Sequence, residues 1–150
     1  MVDVPQDKNL DGNTQADSSL PGAGKRALVI DDDPTTLTLL AHLLGKFGFS
    51  VETALTGQEG WDKVSDSGLD IIITEVFTPD LGGFEFLKEL KQNEDINHIP
   101  VIIISSRKSM RDTFMVMGAD DFIPKPINSD DLRQKITLAL KKNKGQGSRS

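Results

Sequence analysis

The chain has 150 residues, of which 37% are hydrophobic and 27% charged, and its formal net charge is -6. These values are typical of one globular domain. The absence of cysteine excludes disulfides, thiolate metal sites and cysteine nucleophiles. No apolar run reaches the roughly 18 residues of a transmembrane helix, and the start of the chain lacks the pattern of a secretory signal. We therefore expect a cytoplasmic protein with no membrane partner.

Charge and composition divide the chain into three parts. Residues 1–24 are polar without periodicity and predict a disordered leader or linker. Residues 25–141 predict the folded domain, and residues 142–150 predict a flexible basic tail. The acidic body of the chain argues against nucleic acid as a partner, and a short basic run such as the tail is usually solvated.

Within the folded domain, short apolar runs alternate with helical patterns. ALVI (27–30) predicts the first strand, and Asp33-Pro34 then begins a helix, because Asp caps free amides and Pro fits the first helical turn. Further strands are predicted at 49–54, 69–74, 99–105 and 120–124. Further helices are predicted at 56–67, from Gly82-Gly83 onward, at 108–118 and at 128–142 with Asn128 or Ser129 as the cap. Apolar central strands in this order predict a parallel sheet covered on both faces, which is a doubly wound three-layer α/β domain.

Polar side chains follow the predicted strands at the point where each strand ends. In a doubly wound fold the carboxyl ends of the strands meet at one edge of the sheet. The residues placed there are Asp31, Asp32 and Asp33, then Glu75, then Ser105 and Ser106, and finally Lys125. Clustered carboxylates need a cation, and oxygen-rich sites suit Mg²⁺. A lysine in such a cluster can pair with a carboxylate or with a phosphoryl oxygen.

Each of these residues has a simpler interpretation when it is taken alone. Asp33 is accounted for as a helix cap, Ser106 as a small residue in a tight space, and Lys125 as part of a turn. His42 and His98 have no partner visible in the sequence and are interpreted as ordinary residues without a role in the site. The combination of residue types at one edge is therefore what carries the prediction of a functional site.

Most of the chain, from about residue 26 to 140, resembles the receiver domains of two-component response regulators. The matching stretches are LVIDDDP (28–34), DIIITEVFTPDLGGFEFL (70–87), IPVIIISS (99–106) and GADDFIPKPI (118–127). The resemblance implies a flavodoxin-like (βα)₅ fold with strand order 2-1-3-4-5. It also implies an acidic pair, a hydroxyl switch, an aromatic switch and a lysine that contacts the phosphoryl group. These positions are Asp31 and Asp32, Ser105, Phe122 and Lys125.

The position of the phosphoacceptor holds a glutamate. In receivers this residue is an aspartate four residues before a proline, and here Glu75 precedes Pro79 by that spacing. One extra CH₂ group moves the carboxylate roughly 1.5 Å outward, and a misplacement of about 1 Å can cost on the order of 100-fold in rate. The longer side chain brings its charge to where phosphoryl oxygens would lie, within reach of Lys125 and Ser105. We therefore expect Glu75 to mimic the phosphorylated state.

Other positions depart from the receiver pattern to a smaller extent. The resemblance implies Mg²⁺ ligands at Asp32, Glu75 and the backbone carbonyl of Phe77, and the substitution at Glu75 predicts that Mg²⁺ binds weakly or not at all. Thr78 stands where receivers often have Met or Leu. The segment from Ser105 to Phe122 is about two residues shorter than is usual in the family, which predicts a short or shifted fourth helix.

The fourth helix is rich in large apolar side chains. They are Met110, Phe114, Met115 and Met117. Some must pack on the sheet, but four large groups exceed one narrow helix face, and methionine adapts its shape to partners. We therefore expect an exposed patch of Met110, Phe114 and Met117 to bind a protein partner, on the face formed by the fourth helix, the fifth strand and the fifth helix.

Three functions are compatible with these observations. The favoured one is a receiver-like signalling module that acts by protein–protein interaction and not as an enzyme. The second is a working response regulator that a histidine kinase phosphorylates at Glu75 or another acid. The third is a Mg²⁺-dependent phosphatase of the doubly wound type, which is disfavoured because Glu75 is a poor substitute for the nucleophilic aspartate of such enzymes.

Overall fold

A computed structural model describes residues 19–64, 68–75 and 83–149 of the chain. Strands and helices alternate through this part. The strands are β1 (Arg26–Ile30), β2 (Ser50–Ala54), β3 (Ile71–Glu75), β4 (Val101–Ser105) and β5 (Asp121–Pro124). The helices are α1 (Pro34–Lys46), α2 (Gly57–Val64), α3 (Gly83–Gln92), α4 (Arg111–Val116) and α5 (Ser129–Arg149), and a 3₁₀ turn (Lys108–Met110) precedes α4. The predicted alternation of strands and helices is confirmed.

The five strands form one parallel sheet in the order β2-β1-β3-β4-β5. This is the doubly wound (βα)₅ topology that the sequence predicted. The register pairs Ile30 with Thr74, Glu75 with Ile104, and Ser105 with Pro124. Because the strands are parallel and in this register, the residues that follow them lie at one edge, which we call the carboxyl edge.

The core consists of two apolar clusters, one on each face of the sheet. On one face, side chains of α1 and α5 such as Leu40 and Ile136 pack against the strands. On the other face, the clustered side chains come from α2, α3 and α4 and include Val64, Leu87 and Phe114. The strands β3 and β4 are buried along their whole length, as expected for central strands covered on both sides. Of the helices in the described ranges, none combines the length and the apolar character needed to cross a lipid bilayer.

The ends of two helices follow from single residues in the sequence. Asp33 caps α1, because its Oδ1 accepts a hydrogen bond of 3.0 Å from the Thr35 N–H. The Thr36 hydroxyl and the Thr35 N–H both donate hydrogen bonds to the Asp33 carboxylate. These two bonds hold the pKa of Asp33 below its usual value. Asn128 caps α5 in the same way, with its Oδ1 at 2.8 Å from the Asp131 N–H. Both caps satisfy amides that the helix itself leaves free.

The structure describes residues on both sides of the predicted domain boundaries, which stay predictions. Residues 19–24, assigned to the leader, form a turn that packs on the domain, where the Gly22 N–H donates to the Phe47 carbonyl at 2.9 Å and the Phe49 ring lies directly against Gly22. The helix α5 continues to Arg149, whereas residues 142–150 were predicted as a flexible tail. The lysines of this segment favour the helix, since lysine is a good helix former and its charge is favourable near a helix C-terminus.

The fourth helix confirms one expectation and corrects another. A 3₁₀ turn and a helix of six residues replace the longer helix predicted at 108–118, so the helix is indeed short. Phe114 is 0% exposed, and the prediction that it belongs to an exposed patch is wrong. Met110 and Met117 are half-buried against the same core cluster. A helix this short turns its one large aromatic ring inward, and the large apolar side chain that it leaves in solvent is Val116, which is 88% exposed.

Candidate functional site

Backbone hydrogen bonds extend the sheet just beyond its strands and bring the predicted site residues together. The Asp31 N–H donates to the Ala54 carbonyl at 3.1 Å, and the Lys125 N–H donates to the Ser105 carbonyl at 3.0 Å. Glu75 is the last residue of β3, between β1 and β4. Asp31, Glu75, Ser105 and Lys125 therefore lie at the carboxyl edge, as the sequence predicted.

Lys125 joins two carboxylates from different strands. Its Nζ lies 2.7 Å from Glu75 Oε1 and 3.0 Å from Asp31 Oδ2. Asp31 is 1% exposed and Glu75 is 8% exposed, so this ion cluster is largely withdrawn from water. Two carboxylates share one ammonium at hydrogen-bonding distance, which is the kind of pairing that buried charges require.

Burial and pairing act against each other on the charges of this cluster. Burial raises the pKa of Asp31, and the Asp33 N–H and the Lys125 ammonium offset this only in part. Burial lowers the pKa of Lys125, but its hydrogen bonds to Glu75 and Asp31 outweigh burial, so that its pKa is raised. Lys125 is therefore held in its charged form at neutral pH.

The second oxygen of Asp31 stabilises the loop after β1. Asp31 Oδ1 accepts a hydrogen bond of 2.9 Å from the Asp33 N–H, which is the local geometry of an Asx turn. Asp31 thus connects the start of α1 to Lys125 at the end of β5. The sequence indicated Asp31 as one member of an acidic pair, but the turn through Asp33 was not part of that prediction.

Ser105 lies at the carboxyl edge, and its hydroxyl contacts the loop that follows β4. Its Oγ accepts a hydrogen bond of 3.0 Å from the Arg107 N–H. Ser105 is buried, whereas the neighbouring Ser106 is exposed. The hydroxyl therefore orders the β4–α4 loop next to the ion cluster, a role that depends on a local turn and that the sequence analysis missed.

Thr74 is a further residue that the sequence analysis missed. Its buried hydroxyl donates a hydrogen bond of 3.0 Å to the backbone carbonyl of Glu75. This bond satisfies a carbonyl at the end of β3 and restrains the backbone that carries the Glu75 side chain. The available signal was a single hydroxyl residue at the end of the apolar run IIIT (71–74).

The aromatic position of β5 is part of the core. The Phe122 ring is buried in the cluster that also contains Phe114, and the Phe122 carbonyl accepts a hydrogen bond of 3.0 Å from Lys135 Nζ. Placement of an aromatic residue here agrees with the sequence, and its role as a switch stays a prediction. The side chains of His42 and His98 are both exposed.

The carboxylates that the structure describes do not fit a divalent-metal site. Asp32 is exposed, Asp31 is held by Asp33 and Lys125, and one oxygen of Glu75 contacts Lys125. Among the described residues, no three histidine, aspartate or glutamate side chains are arranged to hold a metal ion. The remaining predicted ligand, the carbonyl of Phe77, lies outside the described residues, as do Thr78 and Pro79.

Known proteins are similar to this chain in sequence and in fold. A family model described as the response regulator receiver domain matches residues 27–137. The transcriptional regulatory protein CpxR of Escherichia coli is 34% identical over 120 residues, covering 79% of this chain and 50% of CpxR. The two-component response regulator-like protein APRR5 of Arabidopsis thaliana is 30% identical over 132 residues, covering 85% of this chain and 24% of that protein.

A solved structure gives the same result for the fold. The crystal structure of a response regulator receiver domain protein from Clostridium thermocellum is 31% identical and superposes with a TM-score of 0.74. The match covers 80% of this chain and 97% of that one. The chain spans between about a quarter and half of the length of the two curated relatives. By its sequence, its strand order and the ion cluster at its carboxyl edge, the chain belongs to the receiver domains of two-component response regulators, which act in phosphorelay signalling.

Proposed function

We propose that this chain is an atypical receiver in which Glu75 replaces the phosphoacceptor and mimics the active state, so that the domain acts by protein–protein interaction. The observation that carries the proposal is the 2.7 Å contact between Glu75 Oε1 and Lys125 Nζ. An anionic group is thereby already in contact with the lysine that the receiver resemblance assigns to the phosphoryl group. The side chain provides this contact without any reaction.

The length of the side chain explains why Glu75 suits this role better than that of a nucleophile. An acceptor oxygen must approach phosphorus in line, from a fixed position at the strand end. The additional C–C bond of glutamate displaces the carboxylate by roughly 1.5 Å, and an error of about 1 Å can slow a reaction on the order of 100-fold. The same displacement moves the negative charge toward the position of the oxygens of a phosphorylated aspartate. Loss of reactivity and mimicry therefore have one cause.

The alternative function is that of a response regulator phosphorylated by a histidine kinase at Glu75 or another acid. The observation in its favour is that Asp31, Ser105 and Lys125 all lie at the carboxyl edge beside Glu75. The mimic is preferred because the position that departs most from the receiver pattern is the one that would react. A phosphatase activity remains disfavoured, because Asp31 is held by Lys125 and the Asp33 N–H, and the carboxylate of Asp33 caps α1.

Phosphorylation with a small donor separates the two functions. The protein is incubated with acetyl phosphate and Mg²⁺, and its intact mass is measured beside those of the Glu75→Asp and Glu75→Gln variants. We expect no phosphoryl group on the wild type or on Glu75→Gln, and one on Glu75→Asp, where the shorter side chain restores the acceptor position. Addition of one phosphoryl group to the wild type, absent from Glu75→Gln, would show that Glu75 is a working acceptor and refute the mimic.

We further propose that the protein partner binds the face formed by α4, β5 and α5. On α5, Asp131, Lys135 and Leu138 follow one another at helical spacing, and Lys135 contacts the carbonyl of Phe122 on β5. Leu138 is 56% exposed on this side of the helix, and Val116 is exposed on α4. These two residues take the place of the predicted patch. A histidine kinase is one candidate partner, and the net charge of -6 disfavours nucleic acid.

A further inference from the structure

The carboxyl edge obtains its positive charge from the chain itself. The ammonium of Lys125 lies within 3.0 Å of a carboxylate oxygen from Asp31 and one from Glu75. The other oxygen of Asp31 accepts the Asp33 N–H, and Asp32 is exposed. In the described part of the chain the acid residues thus meet a lysine and backbone amides, and they do not form a set of metal ligands.

We propose that Lys125 is the resident cation of the carboxyl edge, so that the folded domain neither needs nor takes up a divalent metal ion at millimolar concentration. The inference rests on the proposed function, because it takes the longer Glu75 side chain to hold Lys125 in place of a metal ion. The Tm measurements below involve no phosphorylation, so a failure of this inference can be told from a failure of the mimic.

The physical reason is competition between two cations for the same oxygens. Mg²⁺ binds its ligands at about 2.0–2.1 Å in a near-ideal octahedron and loses water reluctantly. Of the ligands that the receiver resemblance implies, Glu75 already contacts Lys125, so Mg²⁺ would have to displace the ammonium from Glu75 and leave it paired with Asp31 alone. The displaced ammonium would then remain a few Å from a dication in a site with little water, where like charges repel strongly. The lysine contacts are already formed in the folded chain.

The first test is thermal unfolding of the wild-type chain with EDTA and with about 10 mM MgCl₂. We expect Tm to differ by less than about 1 °C between the two conditions. A site with a dissociation constant of about 1 mM would instead raise Tm by several degrees at this concentration. A saturable rise of that size in the wild type would overturn the proposal, and this measurement requires no variant.

The second test removes the lysine. In Lys125→Met the side chain keeps most of its length but loses its charge, which leaves two buried carboxylates without a cation. We expect Tm in EDTA to fall by roughly 10 °C or more, and MgCl₂ to restore part of the loss. Lys63→Met is the matched control, because Lys63 is also partly exposed but contacts the Thr53 carbonyl and Glu59 away from this edge. We expect this control to show no dependence on Mg²⁺.

A third variant covers the case in which Lys125→Met does not fold. Lys125→Arg keeps the positive charge, and we expect it to fold and to remain insensitive to Mg²⁺. If MgCl₂ raises the Tm of Lys125→Arg or of the wild type by several degrees, the cation supplied by residue 125 does not exclude the metal and the proposal fails.

Discussion

Phe114 and Val116 lie two positions apart on α4, but one is a core residue and the other a surface residue. We therefore expect substitution at the first to cost much more stability than substitution at the second. Phe114 is fully buried in the cluster that contains Phe86 and Phe122, whereas Val116 is 88% exposed. Truncation of a buried phenylalanine to alanine costs about 3–5 kcal/mol, with the larger values where the surroundings cannot collapse. Because Phe114 is fully buried in this cluster, we expect Phe114→Ala to cost about 4 kcal/mol.

The matched control is Val116→Ala on the same helix. An exposed substitution of this kind changes the free energy of unfolding by no more than about 0.5 kcal/mol, and alanine is also the better helix former. For a domain of this size, the difference between the variants corresponds to a Tm lower by roughly 10–20 °C in Phe114→Ala. The two variants therefore separate core from surface within one turn of helix.

Urea unfolding followed by tryptophan fluorescence measures both variants. The single tryptophan, Trp61, packs edge-on against Phe86 at 5.7 Å between ring centroids and borders the same cluster as Phe114. Its emission therefore reports on the environment that Phe114→Ala disturbs. If Phe114→Ala is no less stable than Val116→Ala, Phe114 is not a core residue and the description of α4 given above is incorrect.

Three further predictions test single contacts. The raised pKa of Lys125 means that its pairing stabilises the fold fully below about pH 10.5 and that this contribution is lost as pH rises through the higher folded-state pKa. Unfolding measured from neutral to strongly alkaline pH should therefore show a larger loss for the wild type than for Lys125→Arg, and equal losses would contradict the pairing. Replacement of Asp33 by alanine removes the cap on the Thr35 N–H and should lower the urea midpoint of unfolding, and an unchanged midpoint would show that the cap does not stabilise α1. Gly118→Ala should destabilise the domain by about 1–2 kcal/mol, because Gly118 has a φ of 110° that alanine adopts only with strain, and a neutral result would argue against this backbone conformation.

The carboxyl edge was largely predictable because its residues are placed by strand ends. Each apolar run in the sequence ends at a polar residue, and a parallel sheet brings those residues together whatever the details of packing. Asp31, Glu75, Ser105 and Lys125 could therefore be assigned to one edge from the sequence. The bonds that Asp31 and Ser105 make to the backbone of Asp33 and Arg107 depend on loop conformation, which apolar periodicity does not encode.

The errors lie where local pattern competes with tertiary contacts. The sequence of residues 108–118 shows which side chains are apolar but not which of them face the sheet. A change from a 3₁₀ turn to an α-helix alters the rotation per residue, so every later side chain points in a different direction. Residues 19–24 have the composition of a linker, but Gly22 contacts the Phe47 carbonyl and the Phe49 ring. These tertiary contacts hold the segment against the domain. We predicted that the last helix ends at residue 142, because the polar sequence beyond it has no apolar face. The helix continues to Arg149, and lysine is a good helix former.

The sequence by itself determined the order of strands and helices, the doubly wound fold and the presence of glutamate where a receiver carries its acceptor. These properties follow from apolar periodicity, capping residues and strand ends, which are local in the chain. Only the tertiary structure decided that Lys125 contacts Glu75 and Asp31 together, that Phe114 is core and that Val116 is exposed. These properties depend on distances between residues far apart in sequence, such as the 94 positions that separate Asp31 from Lys125, and packing of the whole domain sets those distances.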